Sequence, residues 1–247
     1  MGSDARSNLG AALRNANSVF VLTGSGISAE SGLPTFRGAG GLWRTHRVEE
    51  LASPEGFARD PQLVWSWYNE RRAAHGRAEP IAGHYALARL EEAIGDFTLA
   101  TQNVDSLHLR AGSKRVLELH GNLREARCTG CGARRAFEPD GFPFDRVEHS
   151  CGGRFRPDIV WFGESLPAAI WREAEIAAAR ADVILVVGTS AVVYPAAALA
   201  THYNTHAFVA EINPEPTAIS DRVDCLLRGT AAQLLTHLLD DLELPAR

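Results

Sequence analysis

Four near-continuous apolar runs punctuate the chain: SVFVLTG at 18–24, FTLATQN at 97–103, ADVILVVGT at 181–189 and AFVAEIN at 207–213, with a weaker fifth, VDCLLRG, at 223–229. Unbroken apolar runs, as opposed to strict alternation, mark parallel strands covered on both faces. Between them apolar residues recur at helical spacing. Leu9, Ala12, Leu13 and Ala16 form one stripe, Leu87, Leu90 and Ile94 a second, and Leu234, Leu235, Leu238 and Leu239 a third. Asp60-Pro61 reads as an N-cap followed by proline at the first helical position, opening a helix that runs to about Gly76. Strands alternating with helices predict an α/β fold, a Rossmann-like doubly wound parallel sheet.

The rhythm breaks twice. Residues 124–156 carry CTGCGARR, EPDGFPFD and SCGG, where glycine, proline and cysteine replace any helical stripe. This stretch is expected to form a small inserted zinc-ribbon-like module. Residues 32–90 hold Phe36, Trp43, Trp65, Trp67 and Tyr68 and are expected to form a helical lobe over one end of the sheet. The larger part is then 1–31, 91–123 and 157–247, all within one domain spanning 1–247.

Composition narrows the classes. A chain of 247 residues buries a full core without disulfide staples. With 25 Lys plus Arg against 30 Asp plus Glu, the net charge of -5 argues against direct nucleic-acid binding, which calls for a basic face. No apolar run approaches about 18 residues, so no membrane span is expected. The opening MGSDARSNLG lacks the apolar stretch of a signal peptide. A cytoplasmic protein, and a monomer, is the expectation. Three of the four cysteines, Cys128, Cys131 and Cys151, cluster, which in a reducing compartment points to metal. Cys225 lies in an apolar strand and reads as a small buried hydrophobe.

Candidate chemistry collects at strand ends. The first strand runs into Gly24-Ser25-Gly26-Ile27-Ser28-Ala29, a G-x-G-x-x-G/A pattern placed where a dinucleotide fingerprint belongs. The acidic ribose partner that usually follows a second strand about 20 residues on is absent. Gly188-Thr189-Ser190 and Asn213-Pro214-Glu215 also follow apolar strands directly, at the edge where such sheets bind ligands. Gln102, Asn103 and Asp105 follow another. Taken singly, each is compatible with an ordinary turn. His120, in ELHGNL, is a residue type whose unperturbed pKa suits a general base at neutral pH, although a histidine among apolar neighbours is more often structural.

Together these blocks resemble the sirtuin family, the NAD-dependent protein-lysine deacylases. GSGISAESGLPTFRG at 24–38, TQNVD at 101–105, ELHGNL at 118–123, CTGC at 128–131, RPDIVWFGE at 156–164, VGTSAVVYPAA at 187–197 and EINPEPT at 211–217 carry the likeness in family order. The resemblance implies that NAD lies across the sheet and is contacted by Gly24, Ser25, Gly26, Ala29, Phe36, Arg37, Trp43 and Gln102. On the adenosine side it implies Gly188, Thr189, Ser190, Asn213, Pro214, Glu215 and Ala231. The acyl-lysine carbonyl displaces nicotinamide, and His120 acts as general base on a ribose hydroxyl, with Asn103 and Asp105 orienting the ribose and the nicotinamide amide. The products are free lysine, nicotinamide and O-acyl-ADP-ribose. Val160, Phe162, Gly163 and Glu164 match the strand to which an acylated-lysine protein substrate adds by backbone pairing.

Two departures stand out. Ser25 occupies the middle of the first turn where the family pattern has alanine. The second cysteine pair of the family's metal site keeps only Cys151, because the position three earlier is Glu148. One structural zinc per chain is still expected, on Cys128, Cys131, Cys151 and either His149 or Glu148 as fourth ligand. Histidine is the better match to thiolate company.

Tyr68 and Arg71 are three apart and share a helix face. On composition alone, Arg71 and Arg72 merely suit a helix C-terminus and Tyr68 a core. The spacing Tyr-x-x-Arg at this place, however, is similar to the sirtuin branch that removes succinyl and malonyl groups, whose acyl chains end in a carboxylate that a guanidinium can grip. An NAD hydrolase or ADP-ribosyltransferase on the same scaffold, and a silent NAD-sensing module, are the competing readings.

Overall fold

The computed structural model describes residues 2–35, 47–136, 141–202, 204 and 206–243. The expected cofactor contacts Phe36, Arg37 and Trp43 lie outside the described residues. Nine strands are described: β1 (Ser18–Thr23), β2 (Asp96–Thr101), β3 (Val116–Glu118), β4 (Gly121–Cys128), β5 (Arg134–Ala136), β6 (Phe155–Ile159), β7 (Val183–Val187), β8 (Phe208–Ile212) and β9 (Cys225–Leu227). The helices are α1 (Gly2–Asn15), α2 (Val48–Leu51), α3 (Pro54–Arg59), α4 (Pro61–Arg77), α5 (Ala82–Ala93), α6 (Leu107–Arg110), α7 (Ala168–Arg180) and α8 (Ala231–Asp241).

The five apolar runs all become strands of one six-stranded sheet in the order β3-β2-β1-β7-β8-β9, with every pairing parallel. One face is covered by Leu9 and Leu13 of α1, Leu87 and Leu90 of α5, and Leu235, Leu238 and Leu239 of α8. The other face meets Ala174, Ala177 and Ala178 of α7 together with Leu199. Both faces are dry, so the strands need no polar alternation. Cys225 is buried in β9, where its thiol donates to the Ala5 carbonyl at 3.2 Å, as a small hydrophobe should be placed.

The chain builds the sheet outward from β1 in one direction, then crosses back to build it in the other. The carboxyl ends of β1 and β7 therefore flank the topological switch, where open α/β sheets take ligands.

The inserted segment forms its own three-stranded antiparallel sheet, β5-β4-β6, from Gly121 to Ile159. It packs on α2, α3 and α4 through Trp65, Trp161, Phe57, Phe142 and Phe155. Asp60 caps α4 as expected, accepting from the Leu63 amide at 2.9 Å with Pro61 behind it. Among the described residues no helix is long and apolar enough to cross a membrane.

One expectation needs correcting. Val160 to Glu164 do not extend a strand, because β6 stops at Ile159. Glu164 folds back so that its carboxylate accepts from the Trp161 amide at 2.8 Å, and its own amide donates to the Trp161 carbonyl at 3.0 Å. That closes a turn with Phe162 and Gly163 exposed at its tip.

Candidate functional site

At the switch, the turn after β1 lies against the turn after β7. The Gly24 amide donates to the Val187 carbonyl at 3.1 Å and the Gly26 amide to the Gly188 carbonyl at 2.7 Å. A Cβ on Gly26 would sit 2.7 Å from the Gly188 oxygen, so glycine is required by close approach of two backbones. Gln102 bridges the two turns, donating to Thr189 Oγ1 at 2.9 Å, and Asn213 at the end of β8 donates to the Thr189 carbonyl at 2.9 Å. Gly24, Gly26, Gln102, Thr189 and Asn213 are thus gathered along one edge. Ser190, Pro214 and Glu215 stand exposed on the same edge, and Ala231 opens α8. Ser25 is half-buried and Ala29 exposed on the loop.

Beneath the first turn lies a buried polar floor, in which the sequence patterns mark Asn103 and Asp105 but not Thr23, His84, Thr101 or His108. Asn103 donates to the Gly24 carbonyl at 3.0 Å and to Ser28 Oγ at 3.2 Å, and Ser28 in turn donates to Asp105 Oδ2 at 2.7 Å. The other Asp105 oxygen accepts from the Leu107 amide at 2.9 Å. Burial pushes the Asp105 carboxyl above its ordinary value, with the Leu107 amide and Ser28 hydroxyl pulling the other way. Thr23 and Thr101 face each other in register across β1 and β2, joined at 2.8 Å, and Thr23 also meets His108 Nε2 at 2.9 Å. His84 takes the Ile81 amide on Nδ1 at 3.2 Å, which leaves Nε2 protonated toward Ser28 at 3.4 Å. Burial holds His84 down to about 4 and His108 well below its ordinary value, so both rings are neutral at pH 7. The available signal for this floor was a threonine ending each of two adjacent strands.

His120 follows β3. Its Nδ1 lies 3.0 Å from the Gln102 carbonyl, which can only accept, so Nδ1 carries the proton and Nε2 keeps its lone pair. Burial lowers its pKa below the ordinary value, and the bond to Gln102 partly restores it. A ring oriented by one nitrogen and basic at the other is what general-base work requires. Beside this constellation a groove of about 710 Å³ is lined in part by Val104, Asp105, Arg72, His75, Leu123 and Arg124.

Tyr68 and Arg71 do share a face of α4. Tyr68 is buried, and the Arg71 guanidinium stacks 4.6 Å from the Trp67 ring centre and 5.9 Å from that of Tyr68. Burial lowers the Arg71 pKa, while Tyr68 and Asp105 act to raise it.

In the inserted sheet, ligand atoms of Cys128, Cys131, His149 and Cys151 all lie within 4.8 Å of one another. Three thiols and one imidazole at that spacing fit the donor set of a closed, four-coordinate zinc site. Glycines let the two knuckles interlock: a Cβ on Gly153 would meet the Gly130 nitrogen at 2.6 Å and Cys128 Sγ at 2.8 Å. The Cys131 and Gly130 amides hold the Cys128 thiol down to about 7 against its desolvation. The choice of fourth ligand is settled by position: Glu148 faces away, its side chain 79% exposed and 3.9 Å from Arg154. The cluster is consistent with one structural zinc held by Cys128, Cys131, Cys151 and His149.

Comparison with known proteins accords with this architecture. A profile of the Sir2 family matches residues 24–195. An NAD-dependent protein deacylase of Pyrobaculum aerophilum is 48% identical over 237 residues, covering 96% of this chain and 95% of its own. A Sir2 homologue solved as an ADP-ribose complex superposes with a TM-score of 0.90 at 42% identity, covering 96% of each chain. Another, bound to a myristoylated histone peptide, gives 0.78 at 34% identity, covering 98% of this chain and 97% of its own. With the family profile spanning residues 24–195 and relatives near 48% identity over almost the whole chain, this chain belongs to the Sir2 family, the NAD-using sirtuins.

Proposed function

We propose that the chain is an NAD-dependent protein-lysine deacylase that acts on acetyl-lysine and, through Tyr68 and Arg71, on succinyl- and malonyl-lysine. The observation that carries the reading is the His120 ring, fixed through Nδ1 to the Gln102 carbonyl within the loop that also supplies Asn103 and Asp105. NAD when bound supplies the anomeric carbon that nicotinamide leaves and the ribose that accepts the acyl group. Gly24, Ser25, Gly26 and Ala29 would cradle the pyrophosphate side with Phe36, Arg37 and Trp43. Gly188, Thr189, Ser190, Asn213, Pro214, Glu215 and Ala231 would line the adenosine side. Asn103 and Asp105 hold the ribose and nicotinamide amide, and Nε2 of His120 takes a ribose hydroxyl proton. The turn of Val160, Phe162, Gly163 and Glu164 would present backbone to the substrate peptide. The enzyme is taken as a cytoplasmic monomer whose partners are acylated proteins.

For the acyl group, Arg71 supplies a half-buried guanidinium and Tyr68 a phenol hydroxyl. Hydrogen bonds to a charged group contribute about 1.5–3 kcal/mol, and 1.4 kcal/mol is about one decade. Arg71→Met should therefore lower desuccinylation at least about tenfold more than deacetylation of the same peptide. The test is nicotinamide release across a panel of acyl-lysine peptides. Peptide-dependent release supports the deacylase. Release without peptide would mean an NAD hydrolase, and saturable NAD binding without turnover a sensor. Equal losses on succinyl and acetyl peptides in R71M would make Arg71 structural.

A further inference from the structure

Tyr68 does not stand alone in the small lobe. Trp161 Nε1 donates to its hydroxyl oxygen at 2.9 Å, and both rings are buried, at 1% and 2% exposure. The indole N–H is only ever a donor. It therefore occupies a lone pair on the phenol oxygen and leaves the phenol's own hydrogen to point elsewhere. Trp161 is itself held firmly. Its backbone amide donates to Glu164 Oε2 at 2.8 Å, and Glu164 is gripped by both terminal nitrogens of Arg156. The Arg156 guanidinium lies 3.2 Å from the centre of the Trp161 ring, and Phe57 packs against that ring at 5.5 Å between centres. The tilted Tyr68 and Trp161 rings lie 6.4 Å apart, with Arg71 near the Tyr68 ring.

We infer that Trp161 is a positioning residue for acyl recognition: by occupying the Tyr68 oxygen it commits the Tyr68 O–H to an acceptor other than itself, favouring acyl groups that end in one. Without the indole N–H the phenol can turn its hydrogen either way in the ring plane, and its oxygen has lost its buried donor. Acyl selectivity is thus supported from behind Tyr68, through Arg156, Glu164 and Trp161, whose side chains need not touch the acyl group. This rests on the assignment of Tyr68 and Arg71 in the preceding section.

The experiment is a kinetic cycle on the full chain with zinc retained. Wild type, W161F, Y68F and W161F/Y68F are assayed on one peptide sequence carrying either succinyl- or acetyl-lysine. W161F is expected to lower the succinyl-to-acetyl ratio of kcat/KM by about three- to tenfold, the range of one neutral hydrogen bond. Most of the change should lie in KM for the succinyl peptide. Because Trp161 acts through Tyr68, the double variant should match Y68F alone instead of multiplying the two losses. Equal losses on both acyl groups, or multiplicative losses in the double variant, overturn the inference. Should W161F not fold, W161H, which keeps a ring N–H, is the second variant. It is expected to stay within about threefold of the wild-type ratio, and a tenfold fall with deacetylation intact overturns the proposal. If Y68F and R71M leave the ratio unmoved, the carboxylate reading fails and this inference with it. If they lower the ratio and W161F does not, only the role of Trp161 fails.

Discussion

Replacing Arg156 by methionine probes how the small lobe is held. The guanidinium side chain is 5% exposed and reaches the Glu164 carboxylate with two nitrogens, the Ile159 carbonyl at 2.6 Å and the Trp161 ring face. Breaking a buried pair by removing one partner costs about 3–5 kcal/mol, because the other charge is stranded. Glu164 is partly rescued here, since its side chain is 20% exposed and Arg127 lies 3.4 Å away. The low end of that range applies to the pair, and the orphaned Ile159 carbonyl adds about 1 kcal/mol. R156M should therefore cost about 3–4 kcal/mol, or roughly 6–16 °C in Tm for a chain of this size. Urea and thermal unfolding followed by circular dichroism measure it. Making Glu164 neutral as well, in R156M/E164Q, should recover at least about 1 kcal/mol, because no uncompensated charge remains. Burial pushes the Glu164 carboxyl up, but Arg156, the Trp161 amide and Arg127 outweigh it and hold it below the ordinary value. The pair's stabilisation is therefore complete above about pH 4.3 and is lost as pH falls through the lowered folded-state pKa. In R156M that part of the acid dependence should shrink. A loss under about 1 kcal/mol, or a double variant as unstable as the sum of the singles, would refute the reasoning.

Other consequences are as direct. Because burial lowers the His120 pKa, its ring is neutral at pH 7, so kcat/KM should be flat from about pH 7 to 8 and fall only below about 6.5. An acid limb centred above about 6.5 contradicts this assignment, and H120A should lose about 10²–10⁴-fold in rate while retaining NAD binding. Elemental analysis should find one zinc in E148A and clearly less in H149A; the reverse would place the fourth ligand on Glu148. In G26A the new Cβ would lie 2.8 Å from Gly188 Cα, so calorimetry should show NAD binding weakened by at least about tenfold, and unchanged affinity would contradict the role of that turn.

The large sheet was readable because strands buried on both faces advertise themselves as unbroken apolar runs. The short edge strand β3, half-buried at all three positions, gave no such signal. Nor did α7, whose buried face is alanine alone, too small to stand out as a stripe. In β6 the sequence Phe-Arg-Pro-Asp-Ile looks like a loop, yet every residue is buried. Arg156 and Asp158 are tolerated there because Glu164, Arg127 and Arg134 meet their charges from elsewhere in the chain. At the candidate site, motif spacing singled out Gly24, Gln102, Asn103, Asp105 and His120, which the fold brings near one another. The supporting His84 and His108 were invisible because their partners are distant in sequence and neutral histidines look like any others.

The doorway to the small sheet is narrow. The main chain departs at His120 and re-enters at Val160, whose amide donates to the His120 carbonyl at 2.9 Å, with Gly121 opposite Ile159. Gly121 sits at a φ of 75°, where a Cβ would collide with the Asp158 carbonyl. A metal-binding cassette transplanted from a relative could therefore be spliced inside this stem, but a junction cut across it would uncouple the backbone beneath the His120 imidazole. The stem is also the route by which a collapse of the distant thiol cluster would be felt at His120, as a shift of main chain and not of charge.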